Sequence, residues 1–160
     1  MDSKVEMFLK RARSEIDTAE ILFLVSKNKE QKNSLNISEE STFYSGVISH
    51  AYYAIFYCAK ALLLAKHIET SAPEIHKKTF NAFKETFIDT GIMNIKLLLF
   101  YQYLIIRAES LLEIYRIEKK KRGDFTYNTI PQANQSPAEE SIKHAKDFFK
   151  HCSSYMSYSS

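Results

Sequence analysis

The sequence predicts an all-α fold, a single up-and-down bundle of about five helices. Two observations predict it. The 160 residues include only three glycines and three prolines, fewer than the many turns of a sheet protein usually need. Apolar residues recur at three- and four-residue spacing along most of the chain, without strand-like alternation. The hydrophobic fraction of 45% and charged fraction of 26% are ordinary for a globular domain and exclude wholesale disorder.

The first helix is predicted from Ser3 to about Ser26, because a regular apolar stripe is separated by charges. Its members are Val5, Phe8, Leu9, Ala12, Ile16, Ala19 and Phe23. Residues 28–41 are polar and lack periodicity, which indicates a solvated connection. The second helix is expected from about Glu40 to Lys66.

The third helix is predicted to begin at the capping-box pattern Ser71-Ala72-Pro73-Glu74 and to end at Gly91. It should bury Phe80, Phe83 and Phe87. The fourth helix is expected from about Asn94 to Lys121. Its main buried set is Leu97, Leu98, Tyr101, Leu104, Ile105, Leu111, Leu112 and Tyr115.

Residues 124–135 contain turn formers and predict a loop. A second capping-box pattern, Ser136-Pro137-Ala138-Glu139, then predicts the start of the fifth helix. This helix should bury Ile142, Ala145, Phe148 and Phe149, and residues 153–160 should fray. No repeat or linker divides the chain, so we expect one domain over residues 1–160.

The second helix carries two distinct stripes. Mostly small apolar residues form the first, which suits close approach of another helix: Val47, Ala51, Ala54 or Ile55, Cys58 and Leu62. The neighbouring stripe is polar and aromatic and consists of His50, Tyr53, Tyr57 and Lys60. This stripe is either a core or dimer face with tyrosine hydroxyls at its edge, or the lining of a cleft.

Charge and cysteine usage narrow the function classes. The net charge of +3 is below that of most dedicated nucleic-acid binders, but five cations cluster within residues 116–122. They form either a solvated helix end or a phosphate-binding segment. The two cysteines lack metal-type spacing, and the charged first residues do not resemble a secretion signal, so we expect a cytoplasmic protein. Neither a cofactor nor a metal site is expected, although His144 and His151 lie seven residues apart.

Three segments resemble the HEPN superfamily of small all-α prokaryotic domains. The run from Ser49 to Leu63 (SHAYYAIFYCAKALL) is similar to the signature helix of that superfamily. His76, followed by Phe83 and Phe87, resembles its histidine-then-phenylalanine pattern. Residues 122–125 (Arg-Gly-Asp-Phe) resemble the Arg-x-x-Ala-Asp-Tyr element that closes the fourth helix in many members.

The resemblance implies a four- to five-helix bundle that forms a two-fold homodimer. It also implies a toxin–antitoxin or defence pair with a small nucleotidyltransferase, in which the HEPN partner is a metal-independent ribonuclease. Some such nucleotidyltransferases attach AMP to a tyrosine near the catalytic motif. At the corresponding place this sequence offers Tyr127.

The catalytic motif of the active relatives, an arginine followed after four to six residues by a histidine, is absent. None of the arginines has such a histidine: Arg11, Arg13, Arg107, Arg116 and Arg122. RNA cleavage needs a base for the 2′-hydroxyl and a cation for the phosphorane. A replacement site would use His50 or His76 with Arg116 or Arg122.

The alternative function is a non-catalytic dimerisation module that binds a nucleotide, RNA or a protein. Its candidate nucleotide- or RNA-binding residues are Tyr53, Tyr57, Lys60, Lys119, Lys120, Lys121, Asp124 and Phe125. A third interpretation is a purely structural dimerisation domain. No membrane partner is expected, because the apolar run from Leu97 to Ile106 is too short to cross a bilayer.

Overall fold

A computed structural model describes residues 2–121 and 134–159, with side chains described at 2–112 and 134–158. The described part of the chain contains six α-helices and no strand, which confirms the all-α fold. The helices are α1 Ser3–Lys27, α2 Lys29–Ser34, α3 Tyr44–Ala65, α4 Ile75–Phe83, α5 Ile95–Lys121 and α6 Gln135–Ser159, with a π-helical turn at Lys84–Ile88 directly after α4.

The third helix, α3, lies at the centre of the bundle. It packs against α1 and α6 most extensively and also against α4 and α5. Half of its residues are buried, including the whole predicted small-residue stripe: Val47, Ala51, Ala54, Ile55, Cys58 and Leu62. By length and composition α3 could also cross a membrane, but a central bundle helix has the same properties.

Aromatic side chains from three helices fill the space beside α3. Phe83 of α4 contacts Tyr101 of α5 and Phe148 of α6, with ring centroids 5.9 Å and 5.3 Å away. All three rings are fully buried, as is Phe87. The predicted inward faces of these helices are therefore confirmed at their centres, whereas Leu112 near the end of α5 is exposed.

The polar connection predicted over residues 28–41 is wrong in part, because it contains α2. The side chain of Asn28 accepts a hydrogen bond from the Gln31 amide at 3.0 Å and caps this helix. Lys32 is buried and its Nζ donates to the carbonyl of Glu39 at 2.8 Å. A side-chain contact, rather than apolar periodicity, thus holds this short helix.

The predicted helix start at Ser71 is also wrong. The α4 helix begins at Ile75, after Glu74 in a left-handed conformation with φ of 57°, and no described side chain caps it. The preceding Thr70 is held by Lys60 of α3 and by Thr79 of α4. These tertiary hydrogen bonds, rather than a capping box, position the entry to α4. At the other end, Gly91 has φ of 74°, as expected for a glycine that follows a helix.

The last helix differs from the prediction at both ends. It begins at Gln135, so Ser136 lies in its first turn. It continues to Ser159 instead of fraying after residue 152, because Cys152 and Met156 are buried in the core. Of the predicted loop at 124–135, positions 124–133 lie outside the described residues.

Candidate functional site

A buried carboxylate joins α1 to α3. Glu15 of α1 is only 7% exposed, and its Oε2 lies 2.5 Å from Nδ1 of His50 on α3. Its Oε1 accepts a hydrogen bond from Nε of Arg11 at 3.0 Å. Because a carboxylate accepts hydrogen bonds, Nδ1 of His50 carries the hydrogen, and Nε2 of a neutral ring is then free to accept a proton.

Aromatic rings continue this network along the surface. The guanidinium carbon of Arg11 lies 5.4 Å from the ring centre of Tyr57. Tyr57 in turn lies nearly parallel to Phe8 of α1 and to Tyr53 of α3, with centroid distances of 6.2 Å and 6.3 Å. We call Phe8, Tyr57 and Tyr53 the aromatic ladder. Its end member Tyr53 is 39% exposed, so the ladder is open to solvent there.

His76 of α4 lies against the same end of the ladder. Its Nδ1 is 2.8 Å from the hydroxyl oxygen of Tyr52. The centroid of its ring lies 4.4 Å from that of Phe56 and 5.9 Å from that of Tyr53. Burial lowers the pKa of His76, which favours a neutral ring near pH 7. Burial, together with the neighbouring Tyr53, raises the pKa of Tyr52 to about 12, so its hydroxyl keeps its proton.

Lys60 provides a cation at the opposite end of the ladder. Its Nζ lies 5.4 Å from the ring centre of Phe8 and donates to the Thr70 carbonyl at 2.6 Å and to the Thr70 hydroxyl at 3.2 Å. Burial lowers the pKa of Lys60, and the carboxylate of Glu69 acts in the opposite direction.

The structure thus places five of the sequence-predicted site residues on one surface, here called the ladder surface: His50, Tyr53, Tyr57, Lys60 and His76. It adds Phe8, Arg11 and Glu15, which were not predicted as site residues from the sequence. One signal for Glu15 was available, since this carboxylate falls within the apolar stripe of the first helix beside Ala12 and Ile16.

The remaining predicted residues fall outside the described side chains. Arg116, Lys119, Lys120 and Lys121 belong to α5, but their side chains lie outside the described ones. Arg122, Asp124, Phe125 and Tyr127 lie outside the described residues altogether. The proposed pairing of a histidine with Arg116 or Arg122 therefore stays a prediction.

A second polar cluster lies between α5 and α6. His144 stacks on Phe100 with a centroid distance of 4.3 Å, and its Nε2 lies 3.5 Å from Glu140. Its Nδ1 is buried and has no hydrogen-bond partner among the described residues, and burial lowers the pKa of His144. His151, the other histidine of α6, instead pairs through Nδ1 with the Asp147 carbonyl. Across the part of the chain that is described, no three His, Cys, Asp or Glu side chains converge on a metal position.

The ladder surface combines three chemical capacities. His50 provides an oriented imidazole, Arg11 provides a cation held by the same carboxylate, and the aromatic ladder provides flat apolar faces beside cations. Such groups suit proton transfer next to a phosphate and stacking of nucleobases.

Comparison with known proteins supplies the family. The HEPN domain model matches residues 21–155. The UPF0332 protein of Thermotoga maritima is 28% identical over 144 residues, which covers 90% of this chain and 84% of that protein.

Two proteins of Methanocaldococcus jannaschii that are named as candidate toxins are also similar. One is 39% identical over 69 residues, 41% of this chain and 45% of the relative. The other is 35% identical over 72 residues, 45% of this chain and 52% of the relative. The matched part thus spans about half the length of each of these toxin-like relatives. Because the family model matches well over half of the chain, the protein belongs to the HEPN domain family.

Proposed function

We propose that this protein is the toxin of a toxin–antitoxin or defence pair and that it cleaves RNA in the cytoplasm without a metal ion. The HEPN family and the toxin names of two relatives support the class. The observation that carries the proposed chemistry is the contact of one buried carboxylate, Glu15, with both Arg11 and His50.

The reaction assigned to this site is attack by a 2′-hydroxyl on the adjacent phosphorus. Nε2 of His50 takes the 2′-hydroxyl proton while the 2′-oxygen bonds to phosphorus. Arg11 offsets the negative charge that develops on the phosphorane oxygens. The bond from phosphorus to the 5′-oxygen then breaks, the 5′-oxygen takes a proton from water, and the hydroxide that remains takes the proton back from Nε2 of His50. The products are a 2′,3′-cyclic phosphate and a free 5′-hydroxyl.

His76 has a binding role in this proposal. When the Tyr52 hydroxyl donates to Nδ1, the neutral ring carries its hydrogen on Nε2. That N–H can donate to a phosphate oxygen, and Tyr53 beside it can stack with a base. The lowered pKa of His76 makes it a hydrogen-bond donor near pH 7 rather than a second cation.

The proposal includes two protein partners. The family resemblance supports a homodimer and a nucleotidyltransferase antitoxin that modifies Tyr127. The cations of residues 116–122, with Asp124 and Phe125, remain candidates for RNA contact. The proposal predicts that a gene for a small nucleotidyltransferase lies beside this one and that the protein alone arrests growth. Co-expression of that nucleotidyltransferase should then relieve the arrest, and replacement of Tyr127 by phenylalanine should abolish the relief.

A second candidate function is RNA or nucleotide binding without cleavage. It is favoured by the position of Arg11, whose guanidinium already contacts both Glu15 and the Tyr57 ring. A cation held in this way contributes to an electropositive stacking surface even if it never reaches a phosphorane.

One experiment separates the two functions. Purified protein is incubated with total RNA and a tRNA pool in EDTA, beside His50→Ala, Arg11→Ala and His76→Ala. Arg13→Ala is a matched control, because Arg13 also pairs with an acid four residues later and has 61% side-chain exposure against 60% for Arg11. His151→Ala is the histidine control.

Cleavage that His50→Ala and Arg11→Ala abolish while both controls retain it would support the ribonuclease. If the folded wild type cleaves no RNA but binds it, and Tyr53→Ala weakens that binding, the result would support the binding module instead. Cleavage that survives in His50→Ala would exclude His50 as the base.

A further inference from the structure

A cavity of about 300 Å³ lies where the start of α1 meets the end of α3. This volume is at the lower end of the range for small-ligand sites. Its inner wall is apolar and its rim is charged, and the lining residues are Lys4, Met7, Phe8, Lys60, Leu64, Ile68 and Glu69. None of these residues except Lys60 belongs to the site predicted from the sequence.

The cavity continues the aromatic ladder. Phe8 is shared by both, since its ring lies beside Tyr57 and also lines the cavity. A strand of RNA whose bases stack along Tyr53 and Tyr57 would therefore meet the cavity at the next position. The rings of the aromatic ladder lead to a cavity of limited volume. This arrangement suits a chain of flat bases better than a branched apolar ligand.

The rim charges match a nucleotide. Lys60 is fixed by Thr70 and lies over Phe8, so its ammonium stands beside the flat wall of the cavity. Lys4 lies 3.7 Å from Glu69, and both side chains are largely exposed. Two ammonium groups can hold a phosphate, and one carboxylate can accept a hydrogen bond from a base amino or imino group.

We propose that this cavity binds one nucleobase of single-stranded RNA, with Phe8 as its stacking wall and Lys4 and Lys60 on the adjoining phosphate. This inference rests on the proposed action on RNA and adds a subsite to the same surface. A preference for one base at one position follows from it, because Glu69 accepts hydrogen bonds only from bases that present a donor there.

The test uses fluorescently labelled 2′-O-methyl oligonucleotides, which lack the 2′-hydroxyl nucleophile and are not cleaved. Anisotropy gives the Kd for hexamers with all bases and for hexamers with a single abasic position. We expect one abasic position to weaken wild-type binding about tenfold, since stacking of one base contributes on that scale.

Met7→Trp fills the cavity mouth, and Met7 is 54% exposed, so the fold should tolerate the change. This variant should bind the intact hexamer about tenfold more weakly and should no longer distinguish the abasic one. Met7→Leu is the matched control and should behave like the wild type. Thermal melts of both variants verify that they are folded.

The outcomes separate this subsite from the proposed function. If abasic positions do not change the Kd of the wild type and Met7→Trp binds the intact hexamer as tightly as the wild type, the subsite would be overturned while RNA binding remains. Failure of the wild type to bind any hexamer would overturn both proposals. Binding of free AMP or UMP that Met7→Trp abolishes, without binding of hexamers, would assign the cavity to a free nucleotide and overturn the RNA subsite.

Discussion

Glu15 and His50 are 35 residues apart in the chain, yet Oε2 of Glu15 lies 2.5 Å from Nδ1 of His50. Because Glu15 belongs to α1 and His50 to α3, the contact links two helices across a largely apolar interface. The same carboxylate accepts from Arg11, so two donors offset the cost of burying it.

Removal of this carboxylate should destabilise the fold measurably. We expect Glu15→Ala to lower the free energy of unfolding by about 1.5–3 kcal/mol, the range for hydrogen bonds to charged groups. Urea denaturation followed by circular dichroism provides the measurement. Asp17→Ala is the control, because Asp17 makes an exposed pair with Arg13. Its replacement should lower the free energy of unfolding by less than about 0.5 kcal/mol. Equal losses in the two variants would contradict a structural role for the Glu15 contact.

The aromatic ladder predicts a loss of RNA binding in a protein that stays folded. Tyr53 is 39% exposed and its ring contacts Tyr57 and His76, so Tyr53→Ala should lower the unfolding free energy by about 1 kcal/mol without unfolding the protein. Its loss should weaken RNA binding about tenfold, because one stacking ring disappears, while Tyr53→Phe should retain wild-type affinity. Tyr158→Ala, at a tyrosine with 91% exposure, controls for the loss of any surface ring. Unchanged RNA affinity in Tyr53→Ala would remove the ladder from the binding surface.

Replacement of Tyr101 by phenylalanine should stabilise the protein. Its hydroxyl is buried without a hydrogen-bond partner among the described residues, while its ring packs against Phe80, Phe83 and Phe148. Tyr101→Phe keeps these ring contacts and removes the unsatisfied polar group, so we expect a gain of about 1 kcal/mol in unfolding free energy. A loss of stability of that size would mean that the hydroxyl has a partner.

The two cysteines should be unreactive in the folded protein. Cys58 of α3 and Cys152 of α6 are both fully buried. Burial and the neighbouring Cys58 raise the pKa of the Cys152 thiol well above its usual value, which disfavours the reactive thiolate. Titration with Ellman's reagent should therefore show almost no reaction at pH 8 without denaturant and two thiols in guanidinium chloride. Rapid reaction of the native protein would contradict the packing of α3 against α6.

The parts predicted correctly from the sequence depend on contacts within one helix. The α3 stripes follow directly from helical spacing, so His50, Tyr53, Tyr57 and Lys60 could be placed on one face. Helix starts were less predictable, because tertiary hydrogen bonds decide them. The contact of Lys60 with Thr70 holds the segment before α4, although the local pattern favoured a start at Ser71.

The missed site residues have the same explanation. Phe8, Arg11 and Glu15 reach the site only because α1 packs against α3, and spacing within α1 does not reveal which side chains of α3 they meet. The family resemblance gave no help here, since the motifs that carry it begin at Ser49 and none of them lies in α1. The buried face of an amphipathic helix is where such a residue can be sought, and a single carboxylate on that face is the available signal.

Two partly desolvated histidines predict that the protein loses stability in mild acid. Burial lowers the pKa of both His76 and His144 below their usual value of 6.5. As the pH falls through about 6.5, the unfolded chain therefore binds protons that the folded chain does not, and the free energy of unfolding decreases. Above that pH the neutral rings impose no such penalty.

His144→Phe should reduce this pH dependence, because phenylalanine can keep the stack on Phe100 but cannot bind a proton. The charged neighbours of His144 are Glu140, Asp147 and Lys143 on α6, with Arg107 of α5 behind Tyr103. Urea denaturation at pH 7.5 and pH 5.0 measures the effect, and His151→Phe is the control from the same helix. A fall in stability that is as steep in His144→Phe as in the wild type would show that His144 does not contribute to it.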